Sequence, residues 1–237
     1  MPPRSVFVPT PSFENDTLRI TGDEHRHLQV ARVAVHESIE IFDGKGGIWT
    51  ASVAGADRRQ TIARISGHRQ AVRDRHELIL GLALIRMASF ELALEKAVEI
   101  GIARIIPVAA ERSNVTAEKR HDRWMRIIVE AAKQSKRYWL PALDEPGAFS
   151  SVLSVQAETK IVFAERGGGA LAPAVRGSPV VYLVGPEGGW TDSELEAARK
   201  HGFALVGLGA GILKSETAAI VGGALIRYEL ERRERVE

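Results

Sequence analysis

Two glycine-rich turns lie near the C-terminal end of the chain, Gly185-Pro186-Glu187-Gly188-Gly189 and Gly207-Leu208-Gly209-Ala210-Gly211, each after a run of apolar residues. At a strand end, glycine permits positive φ and brings the backbone close to a ligand, so main-chain N–H and C=O groups can read the edge of an adenine. Two such turns set side by side by an α/β topology make a ligand site, whereas either alone is equally explained as turn chemistry. The second turn also looks like the glycine-rich fingerprint that cradles a pyrophosphate at a helix N-terminus. It fails on spacing, because the pattern needs a glycine where Ile212 stands and no complete βαβ unit follows. Glu187 and Glu216 are candidate bases or ligand-orienting groups. Each could instead serve a helix N-terminus, where the dipole favours a carboxylate.

A second concentration of chemistry runs from Glu111 to Arg137. Eight bases (Arg112, Lys119, Arg120, Arg123, Arg126, Lys133, Lys136, Arg137) stand there against four acids (Glu111, Glu118, Asp122, Glu130). A phosphate-facing patch and a solvated helix face would both give that pattern. Trp124, Tyr138 and Trp139 flank the segment and could stack on unpaired bases or pack in a core or dimer interface. His25, His27 and His36 invite a metal reading, but no carboxylate or fourth-ligand pattern supports one, so no metal is expected.

The elements that position these residues follow from patterning. The first 70 or so residues carry short alternating runs, Ser38–Phe42, Ile48–Val53 and Thr61–Ile65, with Asp43-Gly44-Lys45-Gly46-Gly47 between the first two. This spacing predicts β-hairpins around one short helix, about Asp23 to Val30, in a small barrel or sandwich. After the charged stretch from Ala71 to Glu77 the grammar changes, and a domain boundary is expected there, giving residues 1–72 and 73–237. Leu78–Ile85 and Arg104–Val108 are continuous apolar runs, as in strands covered on both faces, with a helix from Ser89 to Gly101 between them. A helix over Thr116–Gln134, strands at Lys160–Ala164 and Val180–Val184, and a glycine-rich link at Gly167-Gly168-Gly169 follow. Thr191 with Glu194 forms a capping box for a helix ending near Gly202. Phe203–Leu208 gives a last strand, and Ser215 opens a closing helix toward Arg233. A parallel α/β architecture accounts for all of this.

Composition narrows the class. The chain of 237 residues is 45% hydrophobic, enough for a sizeable core, and its net charge of +2 is too small to advertise a polyanion partner by itself. It has no cysteine, which excludes disulfides, zinc fingers and cysteine nucleophiles. No apolar run is long enough to span a bilayer, and Met1 to Pro11 lacks the pattern of a signal peptide, so a soluble cytoplasmic protein without membrane contact is expected.

Read together, Leu183 to Glu194 and Leu208 to Ala218 resemble the signature of the RsmE-type methyltransferases of the SPOUT superfamily. Glu95 to Gly101, Ile106-Pro107, Glu111-Arg112-Ser113, Glu130 to Arg137 and Pro141 match in order. His27 to Arg32 and Phe42 to Gly47 are similar to that family's PUA-like domain. The resemblance implies a SPOUT-type α/β C-terminal domain with a trefoil knot, a small N-terminal PUA-like β-barrel domain that recognises RNA, and a homodimer. It implies S-adenosyl-L-methionine as cofactor and methylation of uridine N3 in 16S ribosomal RNA of the small subunit.

Carried over by position, the cofactor residues are Leu183, Gly185, Glu187, Gly188, Gly189, Leu208, Gly209, Ile212, Leu213 and Thr217. Arg137 and Glu187 are the expected catalytic residues, and Arg32, Arg112, Lys133 and Arg137 the RNA-binding ones. Ala210-Gly211 replaces the usual Pro-Arg and Lys214 a usual Arg, which exchanges a rigid planar fork for nothing or for a flexible point charge. These departures keep two alternatives open: a related enzyme acting on another RNA, and a catalytically inactive RNA-binding homologue.

Overall fold

The computed structural model describes residues 3–113, 120–165 and 168–235. Thr116, the expected start of the long basic helix, and Glu118, Lys119 and Gly167 lie outside the described residues. The chain divides into two compact units, Met1–Arg73 with Ala132–Leu140, and Asp74–Ala131 with Pro141–Glu237.

The first unit contains β1 (Arg4–Phe7), β2 (Phe13–Glu14), β3 (Thr17–Ile20), α1 (Gly22–Val30), β4 (Ser38–Phe42), β5 (Gly47–Ala56) and β6 (Thr61–Gln70). They form one six-stranded sheet in the order β1-β4-β5-β6-β3-β2, antiparallel except where β1 pairs with β4. The expected strands and helix are present. The three short strands at the start of the chain carry too few alternations to be read from sequence. Alternating residues of the sheet, among them Val6, Leu18, Ile39, Ile41, Ala51, Val53 and Ala63, meet Leu28 of α1 in a buried core.

The glycine turn between β4 and β5 explains why Ala132–Leu140 belongs to this unit, although it falls within the expected residues 73–237. Gly46 donates its N–H to Tyr138 O (2.9 Å) and Leu140 donates to Gly44 O (2.9 Å). At Gly46, φ is +88° and an added Cβ would lie 2.5 Å from the Trp139 ring, so only glycine lets that indole settle on the turn. Trp139 donates its indole N–H to Ala71 O (3.1 Å). The Tyr138 hydroxyl donates to Glu40 (2.6 Å), which also accepts from Lys136 (3.2 Å) and Arg69 (3.2 Å). These two aromatics are therefore packing residues of the first unit rather than a free stacking surface.

The second unit opens with β7 (Leu78–Ala83), α2 (Met87–Ile100), β8 (Arg104–Ala109) and α3 (His121–Ser135), whose last residues count with the first unit. It continues with β9 (Ala142–Leu143), β10 (Gly147–Ala148), α4 (Phe149–Leu153), β11 (Thr159–Phe163), α5 (Leu171–Ala174), β12 (Val180–Val184), α6 (Asp192–Lys200), β13 (Ala204–Val206) and α7 (Ser215–Glu234). The sheet runs β10-β8-β7-β12-β11-β13, with β9 beside β8, and every pairing is parallel. β7 and β12 are buried at every residue, as their unbroken apolar runs predict for strands covered on both faces. Helix α2 ends on Gly101 in the left-handed conformation, and α6 starts on the predicted Thr191–Glu194 capping box. Trp124, for which base stacking and core packing were both open, is fully buried, with its ring 4.5 Å from Phe90. The apolar stripe of α3 carries it inward, because an indole buries more area there than any other side chain of the helix.

Burial pushes the Glu40 carboxyl upward, but the hydrogen bonds from Tyr138, Lys136 and Arg69 outweigh it and hold the group below its ordinary value of 4.5. A depressed folded-state pKa stabilises the fold above the unfolded value, and that contribution is lost as pH falls through the folded one. Acid denaturation of Glu40→Gln is therefore expected to show a lower stability than the parent at pH 7, with the two curves converging well below pH 4.5. Curves that stay parallel to low pH contradict this coupling.

Candidate functional site

Because the second sheet is wholly parallel, the loops after its strands gather at one edge, where open α/β sheets hold ligands. A cavity of about 770 Å³ opens there. Arg86 reaches it from the loop after β7, Arg112 from the loop after β8, Phe163 to Glu165 from the end of β11, and Gly185 to Trp190 from the loop after β12. Residues Leu208, Gly209 and Gly211 to Lys214 close it from the loop after β13, together with Ser215, Glu216 and Ala218 of α7. The two glycine-rich turns thus meet across one space, with Gly189 at φ +68° and Gly209 at +113°.

Eight of the expected cofactor residues line this cavity: Gly185, Glu187, Gly188, Gly189, Leu208, Gly209, Ile212 and Leu213. Leu183 and Thr217 do not. Leu183 is fully buried on β12 and fills the notch left by Gly81, where an added Cβ would lie 2.4 Å from its methyl carbon. Thr217 stands half-buried on α7 between the lining residues Glu216 and Ala218. Successive residues of a strand point to opposite faces, so Leu183 turns into the core while its neighbour Val184 lines the cavity.

The turn after β12 is held by a short set of bonds. The buried carboxylate of Glu194 accepts the N–H of Glu111 (2.9 Å) and the N–H of Thr191 (2.9 Å), tying the loops after β8 and β12 together. Glu111 in turn accepts from the Thr191 hydroxyl (3.1 Å). The Trp190 indole donates to Phe163 O (3.2 Å), and its ring lies under Gly185, where an added Cβ would come within 3.1 Å of it. Glu187 accepts the backbone N–H of Arg86 (3.3 Å) and lies 3.8 Å from that residue's Nε, at the start of α2. It therefore serves the helix that follows the neighbouring strand β7, while α6 is capped by Thr191 and Glu194.

The basic residues differ in the contacts they make within the protein. Arg112 lines the cavity, but its Nη1 donates to Gly188 O (2.8 Å) and Trp190 O (3.5 Å), so it braces the glycine turn. Lys133 is 8% exposed, with its ammonium 3.0 Å from Glu24, because a buried amine needs a carboxylate beside it. Lys136 faces Glu40 and Ser5, and Arg123 forms a two-bonded pair with Glu91. Three of the eight bases in this segment, Arg123, Lys133 and Lys136, thus face carboxylates of the protein itself. Arg32 (exposed, φ +52°) and Arg137 (half-buried, its N–H on Ala132 O at 3.0 Å) belong to the first unit and are not among the lining residues.

Sequence reading missed Arg86, Glu165, Trp190 and Asp192 as lining residues. Arg86 had a usable signal, since it directly follows an apolar run and so sits at a strand's carboxyl end. His25, considered for a metal, is buried with its Nδ1 2.9 Å from the Thr61 hydroxyl, and no group of three His, Cys, Asp or Glu gathers among the described residues. Among these residues no helix is long and apolar enough to cross a membrane.

Residues 73–227 match the family described as the RNA methyltransferase domain, and residues 20–66 the RNA methyltransferase PUA domain. The chain is 31% identical over 241 residues to ribosomal RNA small subunit methyltransferase E of Synechocystis sp., covering 96% of this chain and 78% of the relative. It is 30% identical over 201 residues to the enzyme of that name from Mesomycoplasma hyopneumoniae, covering 82% and 86%. The crystal structure of the Neisseria gonorrhoeae ribosomal RNA small subunit methyltransferase E bound to S-adenosyl methionine superposes with a TM-score of 0.89 at 30% identity, covering 95% of this chain and 97% of that one.

Glu194→Gln keeps the shape of the side chain but turns an amide N–H toward a backbone N–H. A loss of about 1–3 kcal/mol is expected from the unpaired buried donor, read as a lower denaturant midpoint. A midpoint within error of the parent would show that the carboxylate is not what joins the two loops.

Proposed function

This chain belongs to the ribosomal RNA small subunit methyltransferase E family, and we propose that it methylates N3 of a uridine in 16S ribosomal RNA with S-adenosylmethionine as donor. The observation that carries the reading is the single cavity into which both glycine-rich turns open. Its size falls within the range of about 300–1,000 Å³ typical of small-ligand sites. Leu208, Ile212, Leu213 and Trp190 offer apolar surface to an adenine, and the backbone of the glycine turns offers donors and acceptors to its edge. Glu165, Glu187, Asp192 and Glu216 bring negative charge to a site that must take a cationic ligand. The residues present therefore fit the donor, and they would hold and orient it without a metal.

When bound, the donor supplies a methyl group made electrophilic by its sulfonium. The protein's own contribution is alignment: Arg112 and Glu194 fix the turn after β12, and Trp190 walls the site from water. In this reading the second unit carries methyl transfer and the first grips ribosomal RNA, with Arg32 and Arg137 on its phosphates. The family's knotted path and homodimer are part of the same proposal. The first is supported by the segment after β11 running beside β13, where Gly169 donates to Leu205 O (2.9 Å) and Gly207 to Gly169 O (3.1 Å). The second is supported by Leu225 and Tyr228, which stand 42% and 60% exposed on α7. Its place of work is then the cytoplasm, where small subunits are assembled.

Isothermal titration with S-adenosylmethionine is expected to give one saturable site per chain. Gly209→Val, at φ +113°, meets strain of about 1–2 kcal/mol in its turn, so its Kd should rise about tenfold. A parent that binds no donor would leave an inactive RNA-binding homologue as the surviving reading. Mapping of modified uridines in ribosomal RNA from cells with and without the gene decides between this target and another RNA. Sedimentation at micromolar concentration should show a dimer that Leu225→Glu converts to monomer. A parent that sediments as a monomer ends the dimer proposal.

A further inference from the structure

Uracil N3 carries a proton, and a site that alkylates it must favour the anion, whose charge spreads onto the flanking carbonyl oxygens. Three cations line the cavity: Arg86, Arg112 and Lys214. Arg112 already donates to Gly188 O and Trp190 O. Lys214 precedes α7 on a flexible four-carbon stem, and among the described residues no hydrogen bond or ion pair orients its ammonium, whereas a group that stabilises a developing charge must be positioned beforehand. Arg86 meets that requirement. Its backbone N–H is held by Glu187 at 3.3 Å, the same carboxylate lies 3.8 Å from its Nε, and its side chain is 76% exposed. Among the described residues its two Nη groups have no hydrogen-bond partner.

Resting on the uridine-N3 reading above, we propose that Arg86 is a catalytic residue whose guanidinium binds a uracil carbonyl oxygen and favours the N3 anion. The N–H bond breaks, its proton passes to hydroxide from solvent, and the electron pair stays on the N3–carbonyl system beside the guanidinium. Glu187 is the positioning residue that holds Arg86. The planar fork can occupy a flanking oxygen and leave N3 itself open.

The test uses the full-length protein and an RNA oligomer carrying one 5-fluorouridine at the mapped target. Its ¹⁹F shift is followed against pH without the methyl donor, so ionisation of N3 is read apart from turnover. Arg86→Met is the variant, because it removes the guanidinium and keeps the backbone N–H that Glu187 holds. Bound to the parent, the fluorouracil should ionise about one pH unit lower than bound to Arg86→Met, a tenfold difference in its ionisation constant. In turnover, kcat of the variant should fall about 100-fold with its pH profile displaced to higher pH, donor Kd unchanged, and Arg86→Lys recovering part of the rate. An unshifted midpoint, or a rate loss with an unmoved pH profile, overturns the assignment, as does the same shift produced by Lys214→Met and not by Arg86→Met. If the target base is not a uridine, or the parent binds no donor, the functional reading itself fails and this inference falls with it.

Discussion

Glu194 is where the second unit is drawn together. Each oxygen of its buried carboxylate takes a backbone N–H, one from Glu111 after β8 and one from Thr191 after β12. A carboxylate so far from water is stable only when its lone pairs are met, and here the donors belong to two separate loops. The arrangement that satisfies the charge therefore also fixes the distance between those loops. Arg112 can reach Gly188 O because Glu111 is held beside it, and the wall of the cavity follows. The capping box is thus more than a helix start, since its glutamate does a second job on a strand two places away.

Much of this was legible in the sequence because it is periodic or local. The buried parallel strands declared themselves as unbroken apolar runs, and Thr191 with Glu194 announced a helix start three residues apart. The two glycine turns were readable as a pair, since a parallel sheet must bring the ends of its strands to one edge. The short strands β1, β2, β9 and β10 were not readable, because two to four residues carry no period. α2 begins at Met87 rather than Ser89, and the N–H of its N-cap residue Arg86 is met from another loop by Glu187.

Charge was the least legible property. A list of bases gives a local excess but says nothing of which carboxylates from distant positions face them. Glu24 and Glu40 lie more than ninety residues from Lys133 and Lys136, yet they meet in the first unit. Trp124 stayed ambiguous for a related reason: its neighbours in sequence are basic, but its neighbours in space are apolar. Arg86 went unseen because it stands alone between a strand and a helix, and only the partner loop shows what it faces.

The internal pairing of the basic segment has a consequence for how nucleic acid would be held. Polyanions bind most proteins in part by shedding the cations condensed along their phosphates, and each unpaired base on the protein displaces about one of them. Here Lys133, Lys136 and Arg123 already face carboxylates and displace none without first breaking those contacts. Association of a polyanion with this segment should then respond to ionic strength less steeply than a count of its eight bases would suggest.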